Sequence, residues 1–228
     1  MTHSTDLSNA AKEGNHSEVA RLLTGLTAKE VEYSGALREA ATNGHTRCVQ
    51  LLCSNGFQVS DSDKVALLWA CQNGHLQCVQ ILTTHIDPHI DDSYPLYCAS
   101  RTGRSEIVDF LIPLCDPKAA QSRALARAAC GGKTQCVASL IPVSDPKANN
   151  SHALRKALLN GHMDCVEMLY SVSDPYVVLQ DLQEFVEPSQ QDCKFYQAHT
   201  VLKSMMEKEK LEQAIAMHDI TPTHSRKI

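Results

Sequence analysis

The chain has little of what a membrane span, a β-sandwich or a disordered segment needs. No apolar run in its 228 residues approaches the roughly 20 that cross a bilayer; the longest reads Val65 to Cys71, Val-Ala-Leu-Leu-Trp-Ala-Cys. Aromatic residues are only 5%, with a single tryptophan, whereas Ala and Leu recur throughout and favour helices. Apolar residues at 43% supply a core that a disordered chain lacks. The opening Met1-Thr2-His3-Ser4 has no basic stretch followed by an apolar one, so a cytoplasmic location is expected. A protein delivered into a host or target-cell cytosol by a machine that needs no cleavable signal reads the same way. Gly-rich phosphate loops, paired catalytic carboxylates and a nucleophile elbow are also missing. No enzyme activity, cofactor or small-molecule substrate is therefore expected.

What the chain does have is a repeat. Gly14, Gly44, Gly74, Gly103, Gly132 and Gly161 follow one another at steps of 30, 30, 29, 29 and 29 residues, a period that makes a stacked-repeat architecture the first reading. Seven residues before each glycine stands Leu7, Leu37, Leu67, Leu96, Leu125 or Leu154, and four before stands Ala10, Ala40, Ala70, Ala99, Ala128 or Ala157. Five after comes Val19, Val49, Val79, Val108, Val137 or Val166, and eight after comes Leu22, Leu52, Leu82, Leu111, Leu140 or Leu169.

Leu and Ala three apart share one side of a first helix, and the small Ala lets the next repeat approach. Val and Leu three apart form the apolar stripe of a second helix. The glycine between them sits where the chain reverses, a place for positive φ. Ser4, Ser34, Ser93, Ser122 and Ser151, ten before their glycines, are expected to cap the first helix. Asp87-Pro88, Asp116-Pro117, Asp145-Pro146 and Asp174-Pro175 end the second helix and stiffen the join.

The motif Leu-x-x-Ala-(x)3-Gly-His-(x)3-Val-x-x-Leu, as in Leu37 to Leu52, Leu67 to Leu82 and Leu154 to Leu169, resembles the helical half of the ankyrin repeat. The resemblance covers about residues 4 to 175 and implies an all-α solenoid of six helix-turn-helix units. It also implies a protein-protein interaction module whose residues just before each glycine line the concave side. Joins such as Ser144 to Ser151 are too short for the β-hairpin finger of the usual 33-residue repeat. In this they resemble the short-linker arrays of bacterial ankyrin proteins, many of which meet foreign partners.

The expected domain layout is an array over 1–175, capping helices over 176–220 and a flexible tail over 221–228. Beyond 175 the phase is lost, because Gln190 stands where the next glycine falls. A first amphipathic stretch, Tyr176 to Val186, is expected to cover the last repeat, as a solenoid requires. A second, about Asp192 to Met217, either caps as well or serves as a docking helix through which copies self-associate.

Cys48, Cys78, Cys136 and Cys165 all lie four after the glycine, where the fourth copy has Ile107. A slot that accepts Ile or Cys is apolar, and equivalent positions about one helix diameter apart, roughly 10 Å, lie beyond disulfide reach. His45, His75 and His162 precede three of these cysteines at a metal-ligand spacing. The remaining copies carry Asn15, Arg104 and Lys133 instead of His, so the histidines are read as structural and no metal is expected.

Charge is uneven. Residues 1–100 carry 6 basic and 11 acidic side chains, 101–156 carry 9 and 4, and 157–228 carry 6 and 11. Arg101, Arg123, Arg127, Arg155 and Lys156 sit on first helices of the basic middle. With Trp69 and Tyr97 as aromatic anchors, they form the candidate partner-binding set. An acidic protein surface is the expected partner. Neither nucleic acid nor a membrane is expected, because the net charge is -5 and base-stacking aromatics are few.

Overall fold

The computed structural model describes residues 2–27, 29–31, 35–55, 61–185 and 194–219. They form helical pairs: α1 (Thr2–Glu13) with α2 (His16–Leu23), α3 (Ala36–Thr42) with α4 (Thr46–Ser54), and α5 (Asp61–Asn73) with α6 (Leu76–Leu82). Then come α7 (Ile90–Thr102) with α8 (Ser105–Leu111), α9 (Ala119–Cys130) with α10 (Thr134–Leu140), and α11 (Ala148–Leu159) with α12 (Met163–Tyr170). Two more helices follow, α13 (Pro175–Gln183) and α14 (Lys194–Asp219). There is no strand among the described residues, so the protein is an all-α repeat solenoid and the described joins are finger-less.

All four repeating columns are buried in all six copies. First helices pack on neighbouring first helices more closely than second helices pack on second helices. The alanine column permits that approach.

Each reversal is built the same way. Gly14, Gly44, Gly74, Gly103, Gly132 and Gly161 all have positive φ, between 64° and 91°. The next residue's N–H then donates back to the column alanine: His45 to Ala40 at 2.9 Å, Lys133 to Ala128 at 2.9 Å, His162 to Ala157 at 3.0 Å. This is the Schellman closure of a helix C-terminus.

The residue after the glycine also holds the preceding repeat. His45 Nε2 donates to Lys12 O (2.9 Å), His75 Nε2 to Thr42 O (3.0 Å) and His162 Nε2 to Cys130 O (3.1 Å). Arg104 Nε reaches Gln72 O at 3.3 Å in the same way, and the Lys133 stem lies over Gly103. A Cβ on Gly132 would meet the His162 ring at 2.6 Å, so the clasp itself demands glycine there. The Gly-His pair is thus an inter-repeat clasp.

The serine expectation needs correction. Ser93, Ser122 and Ser151 are buried and left-handed, with φ of 60°, 57° and 54°, and none caps its own helix. Each Oγ instead accepts the N–H of the following join's aspartate: Asp116 to Ser93 (2.9 Å), Asp145 to Ser122 (2.8 Å), Asp174 to Ser151 (2.8 Å). Of the join aspartates, Asp174 caps a helix, and Asp87, Asp116 and Asp145 close Asx turns within the joins. Oδ1 of Asp87, Asp116 and Asp145 accepts the N–H two residues on, and Asp174 accepts from Tyr176 and Val177 at the start of α13. Cys115 Sγ, Ser144 Oγ and Ser173 Oγ complete the rungs by donating to the carbonyls of Pro88, Pro117 and Pro146. Ser34 lies outside the described residues.

At the C-terminal end α13 buries Val178 and Leu182, and α14 folds back to bury Ala198, Leu202 and Met206 against α13 and α11. Phe185 stacks at a tilt on Phe195, centroids 5.2 Å apart. The first half of α14 therefore belongs to the cap. Its second half runs on with Leu211 63% and Ile215 55% exposed. No helix among the described residues is long and apolar enough to cross a membrane. The expected tail at 221–228 lies outside the described residues.

Candidate functional site

The first helices of repeats four, five and six place aromatic and basic side chains side by side on one face of the array. On α7, Tyr94 and Tyr97 are three residues apart and therefore neighbours on one helix face. Their rings stack with centroids 5.0 Å apart and 14° between planes. The Arg123 guanidinium of α9 lies over both, 4.2 Å from the Tyr97 centroid and 5.3 Å from that of Tyr94. Arg127, one turn along α9, is 5.9 Å from the Tyr97 centroid. Stacking of this kind is worth about 0.5–1 kcal/mol at an exposed site, and here it fixes the direction of a long side chain.

Tyr97, Arg123 and Arg127 line a cleft of about 230 Å³ together with Gln121, Cys130, Asn149, His152 and Lys156. Four of the expected partner-binding residues, Tyr97, Arg123, Arg127 and Lys156, thus converge. Neither α9 nor α11 contains an Asp or Glu. The side chains of Arg123, Arg127 and Lys156 make no hydrogen bond or ion pair with any described residue.

The other three expected residues are placed differently. Arg155 reaches Asp181 of the capping helix at 3.4 Å and donates to His152 Nδ1 at 2.9 Å, so it ties α11 to the cap. Arg101 donates to Gln72 Oε1 at 2.5 Å across to repeat three, while its buried Nε has no partner among the described residues. Trp69 is 40% exposed on α5, one repeat before the tyrosine pair. Tyr94 and His152 were not among the expected residues. The signal for Tyr94 was its spacing of three from Tyr97; His152 sits four residues before Lys156 and shares its face for the same reason.

The contact with Arg155 defines the state of His152. A guanidinium cannot accept a hydrogen bond, so Nδ1 is the unprotonated nitrogen and Nε2 carries the proton. Burial, then the nearby Arg155 and Lys156 charges, push the His152 pKa below its ordinary 6.5.

The buried thiols are poor nucleophiles. Desolvation raises Cys53 to about 12 and Cys98, Cys115 and Cys136 to about 11, with Cys48, Cys71, Cys78 and Cys165 also raised. The nine cysteines among the described residues are all free. No group of three or more His, Cys, Asp or Glu among the described residues is arranged to hold a metal ion.

The family model for ankyrin repeats matches three times, over residues 7–92, 40–121 and 96–181. The chain belongs to the ankyrin-repeat family. No curated protein sequence matches it. Ankyrin repeats generally act as protein-binding modules, and the matched span, which ends at 181 within α13, includes every residue that lines the cleft.

Proposed function

We propose that this chain is a non-enzymatic binding module that captures an acidic protein partner on the inner face of its ankyrin array. The observation that carries the reading is the convergence of Arg123, Arg127 and Lys156, unpaired by any described side chain, beside a stacked tyrosine pair. Tyr97 and the three cations form the centre of the contact. Trp69 and Arg101 flank it, and Arg155 contributes through the cap rather than to the partner. Rigid stacked helices hold these groups in place before docking, so little side-chain entropy is lost on binding. The role that fits capture without chemistry is an inhibitor, immunity or effector-type protein of the short-linker bacterial kind. Buried free thiols suit a reducing cytosol, the host or target-cell cytosol included.

The test is affinity capture from an extract of the source cells, comparing the full chain with a triple variant carrying Arg123→Glu, Arg127→Glu and Lys156→Glu. A protein retained by the wild type, released by salt and lost from the variant supports the reading; capture insensitive to the reversal overturns it. A second reading, assembly of copies through α14, has one observation in its favour: Leu211 and Ile215 lie bare one turn apart beyond the cap. Size-exclusion chromatography of the chain with Leu211→Ser and Ile215→Ser separates the two, since only an assembling protein shifts to a smaller size.

A further inference from the structure

The cleft carries more positive charge than one carboxylate can answer. Three cations line it, no acidic residue lies on α9 or α11, and none of the three side chains forms a hydrogen bond or ion pair with a described residue. Arg155, adjacent in sequence to Lys156, shows what happens to a cation of this face when a carboxylate is near: it turns to Asp181.

The way Arg123 is held matters as much as its charge. The Tyr97 and Tyr94 rings hold the Arg123 guanidinium by cation–π contact, while none of its N–H donors bonds to a described residue. The tyrosine pad thus fixes the group without consuming its hydrogen bonds. Arg127 stands one helical turn away, so two planar forks are offered to the same small volume.

A carboxylate brings one negative charge and two acceptor oxygens. A phosphorylated side chain brings about -1.5 to -2 and three strong acceptors, and paired arginines bind it bidentately. Resting on the partner-capture reading above, we propose that this cleft recognises a phosphate monoester carried on a peptide segment of the partner. Arg123 and Arg127 fork onto the phosphate oxygens and Lys156 supplies the third charge. A peptide is favoured over a nucleic acid because Arg123 already covers the Tyr97 ring on which a base would stack, and because the chain's net charge is -5.

The experiment is fluorescence polarisation of the full chain with labelled degenerate peptides fixed at a central phosphoserine, phosphothreonine or phosphotyrosine. Twin libraries carry the unmodified residue or Glu at that place, and decauridylate serves as the nucleic-acid probe. At least one phosphorylated library is expected to bind tenfold or more tightly than its Glu twin. Arg123→Gln or Arg127→Gln should each lose at least tenfold of that binding at unchanged helicity, while Lys147→Gln, on the exposed join, should not. Equal affinity for phosphorylated and Glu twins overturns the phosphate assignment and leaves the acidic-partner reading standing. Failure of every phosphorylated library to bind, or tighter binding of decauridylate, also overturns it. The capture comparison above, run with no peptide present, decides the broader reading separately.

Discussion

The two ends of the array are joined by different means. Between α2 and α3 the chain uses a local device: Thr27 N–H donates to Glu30 Oε2 at 2.9 Å while Glu30 N–H reaches back to Thr27 Oγ1 at 3.4 Å, a capping box closed within four residues. From Ser93 onward each join is instead bonded to the next one 23 residues away, through the serine and aspartate rungs. A local cap stabilises its own helix; a rung links neighbouring repeats. In a one-dimensional array the interface strength decides how far an opening spreads, so the later repeats should open together and the first ones separately. The basic cleft lies within the linked part. Its cations come from two repeats and its aromatic pad from a third, so its geometry depends on that linkage.

The largest expected effect comes from the clasp. Gly132→Ala places a methyl group at left-handed φ, costing about 1–2 kcal/mol, and also against the His162 ring. Gly161→Ala carries the first cost only, because nothing lies within 4 Å of its added Cβ. Urea unfolding should show Gly132→Ala losing about 1–2 kcal/mol more than Gly161→Ala. Equal losses would mean that the clasp contributes nothing.

Next in size is the rung. Ser122→Ala leaves the part-buried Asp145 N–H without its acceptor, an expected loss of about 1–3 kcal/mol, whereas Thr27→Ala removes an exposed cap at about 1 kcal/mol. The sharper distinction is spatial. Hydrogen exchange should speed up across α7 to α12 together in the serine variant, and around residues 24–31 alone in the threonine one.

The smallest effect is the pH response of the cleft. The unfolded chain binds a proton at His152 near pH 6.5 that the folded chain, with its lowered pKa, refuses. Stability should therefore fall as pH drops below about 6.5 and level off once the folded imidazole itself titrates. His152→Gln should flatten that part of a melting-temperature profile between pH 5 and 8. A profile identical to wild type would remove His152 from the account.

The repeat itself is readable in the sequence, because six copies of Leu, Ala, Gly, Val and Leu carry the whole packing scheme in residue types and spacing. The same holds for positive φ at the glycines. The join was not readable. Its left-handed turns fall on Asp91 to Ser93, Ala120 to Ser122 and Asn149 to Ser151, where residue types such as Ala120 and Gln121 give no hint of that conformation. Each turn ends at a serine bonded to a neighbouring repeat, which a local reading takes for a helix cap. The cleft was half readable. Tyr97, Arg123, Arg127 and Lys156 follow from register alone, but the diversion of Arg155 depends on where the cap sets Asp181 down, and Arg101 is drawn away by Gln72.

Every clasp among the described residues reaches toward the N-terminus: His45 to Lys12, His75 to Thr42, His162 to Cys130. Growth and shortening of such a stack are consequently unequal at its two extremities. Trimming units from the rear leaves the surviving ones still latched to their forerunners, whereas trimming from the front strands a latch with nothing to close on. Lineages descended from this chain would accordingly vary their unit number behind the binding groove more freely than ahead of it.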